Sequence, residues 1–285
     1  MRPSKFFASA ALFFMAAQFL FASDRFSVSS KPLKAPSLSA KSAIVVDVTT
    51  GKVLYAKNAY AKLPPASTAK IMTALVALEK LPLDRMVTVS ARATQVSPSK
   101  AGLTPLAQYK VGDLLIAALV SSSNDAAVVL AEAVAGSEEA FAALMNGKAK
   151  KLGMFDTHFV NATGLNEKKN EQFTTAYDLT KLMRAAAKDK RLDEILGITT
   201  TFIRGSDGKL IFIRNHNNML WRTPRFVKGK TGWTWSSQHT FVGTNYEADK
   251  TIAFALLKSK KPWTDIERLA YFGILLKNRI FSVEG

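Results

Sequence analysis

Two residues one helical turn apart, Ser67 and Lys70, are the strongest chemical signal in the chain. A serine hydroxyl is a weak nucleophile until a base takes its proton, and a lysine can be that base once burial or a neighbouring cation disfavours its charged form. The pair sits in Pro64-Pro65-Ala66-Ser67-Thr68-Ala69-Lys70, running into Ile71-Met72-Thr73-Ala74-Leu75-Val76-Ala77-Leu78. The prolines suit a helix start, with Ser67 expected at or near the N-cap, and Ile71, Leu75 and Leu78 repeat as on a buried helix. That helix start would also favour an oxyanion forming beside Ser67. Ser-x-x-Lys recurs at Ser97/Lys100 and Ser206/Lys209, both in loop-like surroundings, and only the first opens a long apolar helix. Taken alone, the spacing also fits an N-cap serine followed by a solvated lysine.

Two further groups change the balance. Ser122-Ser123-Asn124 breaks two apolar helical stretches, a natural way to aim side chains into a cleft. Ser122 could relay a proton to a leaving nitrogen, and the Asn124 amide could hold a substrate carbonyl and Lys70 together; helix capping is the simpler alternative. Lys230-Thr231-Gly232 lies in a strand-like stretch and suits an edge where a substrate backbone or carboxylate comes close. Gly229-Lys230-Thr231 could end a phosphate-binding loop only with a glycine at position 224, which is Pro224. His158, His216 and His239 are scattered without ligand spacing and there is no thiol, so neither metal nor cofactor is expected. His216 and His239 flank the Lys230 stretch and suit either polar packing or substrate contact.

The elements that must position these groups follow from periodicity. Residues 43–56 read as a β-hairpin around Thr49-Thr50-Gly51-Lys52, and 84–112 as loops and short strands. Helices are expected from Asp113 through Leu119, from Ala126 to Gly136, over 137–151 behind Ser137, and over 175–188. A second hairpin (200–204 with 210–214) is followed by strands over 226–230, 240–245 and 252–257 and a closing helix over 264–276. Strands at both ends enclosing a helical middle predict an α/β fold. Its mainly antiparallel sheet would be built from both chain ends and flanked by helices, with an all-helical subdomain (about 85–195) inserted. No internal repeat is present.

At 285 residues and 48% apolar, the chain can bury a large core, and zero cysteines leave it without disulfides. Arg2 and Lys5 precede an uncharged apolar run from Phe6 to Ala22, as in a secretory signal cut near residue 23, with a retained anchor as the rival. Residues 24–41 read as a linker, leaving a domain over 42–285. The protein is therefore expected to be exported, to a periplasm or the outer face of the cytoplasmic membrane. The net charge of +17 favours anionic headgroups or wall polymers, and no nucleic-acid motif is present. Lys148, Lys150 and Lys151 are a solvated helix end or a small anion-binding patch.

Ser-x-x-Lys, Ser-x-Asn and Lys-Thr-Gly, in this order, are the signature shared by penicillin-binding proteins and class A β-lactamases. The sequence resembles the low-molecular-mass penicillin-binding proteins that act as serine D-alanyl-D-alanine carboxypeptidases. Further matches lie in Asp47–Tyr55, Pro65–Thr73, Ser123–Ala127, Phe173–Leu179 and Asn215–Leu220, so the likeness covers about residues 40–280. The resemblance implies Ser67 as acylated nucleophile, Lys70 as its base, Lys230 keeping Lys70 neutral and attracting the substrate carboxylate, and Ser122 protonating the leaving D-alanine. It places Asn124 on the peptide, Thr231 on the carboxylate, and the backbone N–H groups of Ser67 and Trp233, just after Gly232, in the oxyanion hole. Implied partners are peptidoglycan peptides ending in D-Ala-D-Ala and β-lactams as covalent inhibitors. Many relatives continue into a small β-domain and a C-terminal anchor; with Gly285 last, attachment is expected to fall to the basic surface or the amino terminus. Class A β-lactamases place a glutamate three residues before a Leu-Asn pair, and here Leu165-Asn166 is preceded by Ala162, which favours a peptidase. An endopeptidase, or a silent wall-binding protein that has kept the fold, are the remaining alternatives.

Overall fold

A computed structural model describes residues 33–166, 171–222, 227–247 and 250–284, so the expected signal segment lies outside the described residues. In chain order, β1 (Ser42–Asp47) and β2 (Val53–Lys57) form the first hairpin. A 3-10 turn (Ala66–Ala69) runs into α1 (Lys70–Lys80). Next come β3 (Met86–Thr88), α2 (Ala91–Gln95), β4 (Gln108–Lys110), α3 (Val111–Val120), α4 (Asn124–Ala135) and α5 (Glu138–Lys151). Then follow α6 (Ala176–Lys188), α7 (Lys190–Gly197), β5 (Thr200–Arg204), β6 (Leu210–Arg214) and the short α8 (Met219–Arg222). The chain closes with β7 (Val227–Thr234), β8 (Gln238–Glu247), β9 (Lys250–Ser259) and α9 (Pro262–Glu284).

The main sheet has the order β2-β1-β9-β8-β7, with antiparallel pairing throughout. Both chain ends build it, as the pattern predicts. Alternation along its inner strands sends one set of side chains to each face. Ala43, Val45, Ile252, Phe254 and Leu256 meet Ile266, Leu269, Ala270 and Ile274 of α9. Ile44, Val46, Ala253, Ala255 and Leu257 join the larger core with the helices. Gly273 lets α9 lie close, because a Cβ there would fall 2.7 Å from a methyl of Val45.

α1 is buried from Lys70 to Leu78 and packs against α3, α4, α5 and α6. A helix apolar on all sides is one enclosed on all sides. Ser137 and Thr175 cap α5 and α6 through their side chains, whereas α3 begins at Val111 without a side-chain cap and carries Asp113 in its first turn rather than as the cap. α6, inside the expected helical insertion, packs on β1, β8 and β9, so one continuous core joins sheet and helices. The last residues of the stretch expected as a linker over 24–41 are packed against the domain. Leu38 and Ala40 are buried, and the Asp265 carboxylate of α9 accepts from Ser39 N, Ser39 Oγ and Ala40 N at 3.0, 2.6 and 2.9 Å.

Candidate active site

The three motifs meet at one cleft. Ser67 lies in the 3-10 turn and caps nothing; Lys70, not Ser67, opens the α-helix. This corrects the N-cap expectation and leaves the hydroxyl free for Lys70, whose Nζ stands 2.9 Å from Ser67 Oγ. Ala66, just before Ser67, is held at φ 46°, a left-handed conformation costly for a residue with a Cβ. Pro65 O, which accepts from Thr68 Oγ1 (2.6 Å) and Thr240 Oγ1 of β8 (3.1 Å), ties that turn to the sheet.

Lys70 is fully buried and donates to Asn124 Oδ1 (2.6 Å) and Thr163 O (2.8 Å). Lys230, 1% exposed, donates to Ser122 Oγ (2.9 Å) and Thr231 O (2.8 Å). Among the described residues neither lysine has a carboxylate within ion-pair distance. Burial, reinforced by the charge of Lys230 and only partly offset by Asp125 and Glu138, holds the Lys70 ammonium well below the usual lysine range. Burial alone lowers Lys230 to about 7.

The break between α3 and α4 is braced from behind. Ser122 sits at φ 61° and its carbonyl accepts from Ser99 Oγ at 3.3 Å. The carboxylate of Asp125, in the first turn of α4, accepts from the N–H groups of Ala101, Gly102 and Leu103, pinning the 98–103 loop beside Ser122. On the opposite wall, β7 presses on the nucleophile turn, and a Cβ on Gly232 would stand 2.8 Å from Ser67 N. Only glycine allows that approach.

The cleft between these walls has a volume of about 390 Å³. Ser67, Ser122, Asn124, Thr231, Gly232 and Trp233 line it; Lys70 and Lys230 lie behind the serines. His216 and His239 both reach its wall, whereas His158 pairs with Phe173 away from it. Sequence reasoning missed Pro98, Ser99 and Leu165, and the start of α9, which contributes Pro262, Trp263 and Ile266. It also missed the Thr163 carbonyl, because a backbone acceptor has no residue signature; the Asn161-Ala162-Thr163-Gly164 turn, organised by Asn161 Oδ1, was the available hint. The other two Ser-x-x-Lys pairs do no such work. Lys100 and Lys209 donate to the carbonyls of Thr94 and Gly102 on the surface.

With the geometry in place, comparison with known proteins is informative. The D-alanyl-D-alanine carboxypeptidase family profile matches residues 29–261. The chain is 35% identical over 210 residues to the D-alanyl-D-alanine carboxypeptidase DacF of Bacillus subtilis, covering 72% of this chain and 54% of that protein, so it spans about half that relative's length. It is 32% identical to a D-alanyl-D-alanine endopeptidase of Escherichia coli, over 80% of this chain and 74% of that one. A crystal structure of a penicillin-binding protein homolog from Mycobacterium tuberculosis superposes with a TM-score of 0.82 at 31% identity, covering 87% of this chain and 95% of the other. Sequence match, fold and the convergence of three motifs on one cleft agree: the chain belongs to the D-alanyl-D-alanine carboxypeptidase family of serine peptidases.

Proposed function

We propose that the protein is a serine D,D-carboxypeptidase that removes the terminal D-alanine from peptidoglycan stem peptides through an acyl-enzyme on Ser67. The observation that carries this reading is the 2.9 Å contact between Ser67 Oγ and a buried lysine that has no carboxylate partner among the described residues. A neutral Lys70 takes the Ser67 proton as Oγ attacks the scissile carbonyl. The resulting oxyanion is met by the backbone N–H groups of Ser67 and Trp233. The C–N bond then breaks, and the leaving D-alanine nitrogen receives a proton through Ser122 from Lys230. Water attacks the ester in the second half-reaction; its proton passes through Ser122 to Lys230, and Lys70 returns the first proton to Ser67 Oγ as the ester bond breaks. Asn124 orients the peptide and holds Lys70, while Thr231 and the Lys230 charge receive the terminal carboxylate. The proton belongs to the coupled pair of lysines rather than to either alone.

A β-lactam would enter by the same attack and remain as an ester. No acidic residue lines the cleft among the described residues. Ala162, where a class A β-lactamase would carry its deacylating glutamate, is buried, and its carbonyl accepts from Thr73 Oγ1 at 2.7 Å. Slow release of the penicilloyl group follows. Export to the periplasm or the outer face of the cytoplasmic membrane fits this substrate, and the apolar segment before residue 23 would direct it.

The test incubates the protein in parallel with a peptide ending in D-Ala-D-Ala and with a penicillin. Free D-alanine together with a penicilloyl adduct stable for minutes supports the reading. Rapid penicillin turnover without D-alanine release would replace it with a β-lactamase.

A further inference from the structure

The β5–β6 hairpin forms a small sheet of its own, apart from the main one. Its inward residues Ile203, Ile211 and Ile213 are buried in the core. Its outward residues are not covered by anything among the described residues. Phe202 and Phe212, directly opposed across the strands, are 61% and 56% exposed with ring centroids 5.2 Å apart. Leu210 extends the patch at 52% exposed, and Trp221 of α8 borders it, with the Arg214 guanidinium 5.2 Å over its ring. The ionisable side chains on the outward face of the strands are Arg204 and Arg214, which bracket the aromatic pair. Unpartnered aromatic faces of this kind mark interaction sites rather than ordinary surface.

We propose that this face docks the protein on an anionic phospholipid surface. Phe202, Phe212, Leu210 and Trp221 would enter the headgroup–acyl boundary while the arginines meet lipid phosphates. Charge selects this occupant. A second copy placed face to face would bring four strand arginines into one interface with no carboxylate on those strand faces to offset them, whereas the net charge of +17 draws the molecule to a negative sheet of lipid. Docking would also orient the cleft, because β6 runs through Asn215 directly into His216 on the cleft wall. The inference is independent of which bond the cleft breaks.

The absence of cysteine allows a direct test in the full chain. Leu210→Cys carries an environment-sensitive fluorophore, with Glu194→Cys on α7 as a control, and circular dichroism confirms folding of each variant. Vesicles of phosphatidylglycerol and phosphatidylethanolamine should blue-shift the label at 210 and leave the label at 194 unchanged, whether or not the amino-terminal segment also inserts. Phosphatidylcholine vesicles should give little shift. Adding Arg204→Ser and Arg214→Ser should weaken the lipid-dependent shift roughly 10- to 30-fold in apparent partitioning. An unshifted label at 210, an equal response to phosphatidylcholine, a shift with purified wall polymer alone, or one that grows with protein concentration without lipid would each overturn the proposal.

Discussion

Three lysines are buried among the described residues, and the contrast between two of them and the third separates the proposed chemistry from architecture. Lys277 of α9 has 3% of its side chain exposed and lies 2.9 Å from the Asp47 carboxylate at the end of β1. Burial pushes Asp47 up, but hydrogen bonds from Thr50 and Lys277 outweigh it and hold the carboxyl below its usual value. That ion pair fastens the last helix to the first strand. Lys70 and Lys230 are buried as deeply, yet face hydroxyl, amide and carbonyl oxygens instead of a carboxylate. Without a counter-ion, burial disfavours the charged form of both lysines, and Lys70, beside the Lys230 charge as well, is pushed furthest toward the neutral form a base requires.

The sharpest way to break this comparison is to remove the atom the free lysine serves. Ser67→Ala should eliminate the penicillin adduct and cut D-alanine release by at least about 10⁴-fold; labelling of that variant by intact mass would remove Ser67 from the reaction. Lys70→Ala should slow acylation by about 10²–10⁴-fold while the fold persists, read by stopped-flow with a chromogenic β-lactam. The architectural lysine should behave in the opposite sense. Lys277→Met strands the Asp47 carboxylate and should destabilise by about 3–5 kcal/mol in urea unfolding, with acylation of the folded fraction unchanged.

Lys230→Met sharpens the contrast further, because losing the proposed catalytic cation should raise stability. With a folded-state pKa of about 7 against 10.5 unfolded, Lys230 is charged in both states below pH 7, and the native state then bears the full burden of burying the charge. The burden shrinks as pH climbs from about 7 and is gone above about 10.5. The variant's gain, about 1–4 kcal/mol by thermal unfolding, should therefore be largest at or below neutrality and fade in alkali. A gain independent of pH would mean that packing, not charge, is responsible. The smallest effect is expected at Trp233. Its proposed role is carried by the backbone N–H, so Trp233→Ala should change kcat/KM by less than about tenfold.

Much of this site was legible because its chemistry is concentrated in short motifs with restrictive spacing. Ser67 and Lys70 are one turn apart on a helix whose apolar residues announce its burial, and Gly232 marks a strand that must come close to something. The sheet was readable for a similar reason, since Ala43–Val46 and Ile252–Leu257 are apolar runs that only a doubly covered sheet accommodates. What escaped depends on tertiary pairing. Trp263 reaches the cleft because β8 and β9 fold back on β7, a route no local pattern encodes. Asp125 reads as a helix-start acid, but it acts as the anchor of a loop more than twenty residues earlier. The misplaced N-cap at Ser67 has a local cause, because a 3-10 turn and an α-helix share the same opening sequence until the hydrogen bonds are seen.

The pairing of β1 with β9, in which Ser42 lies opposite Leu257, also bears on how the molecule comes into being. The central seam of the sheet joins an early strand to one about two hundred residues later in the chain, and such long-range closure is slow. The turn holding Ser67 is braced by β7 and β8, which arrive late as well. A growing chain still short of β7 lacks the strands that brace the Ser67 turn. Whatever the Ser67 hydroxyl does should therefore switch on only after β7 and β8 have joined the sheet.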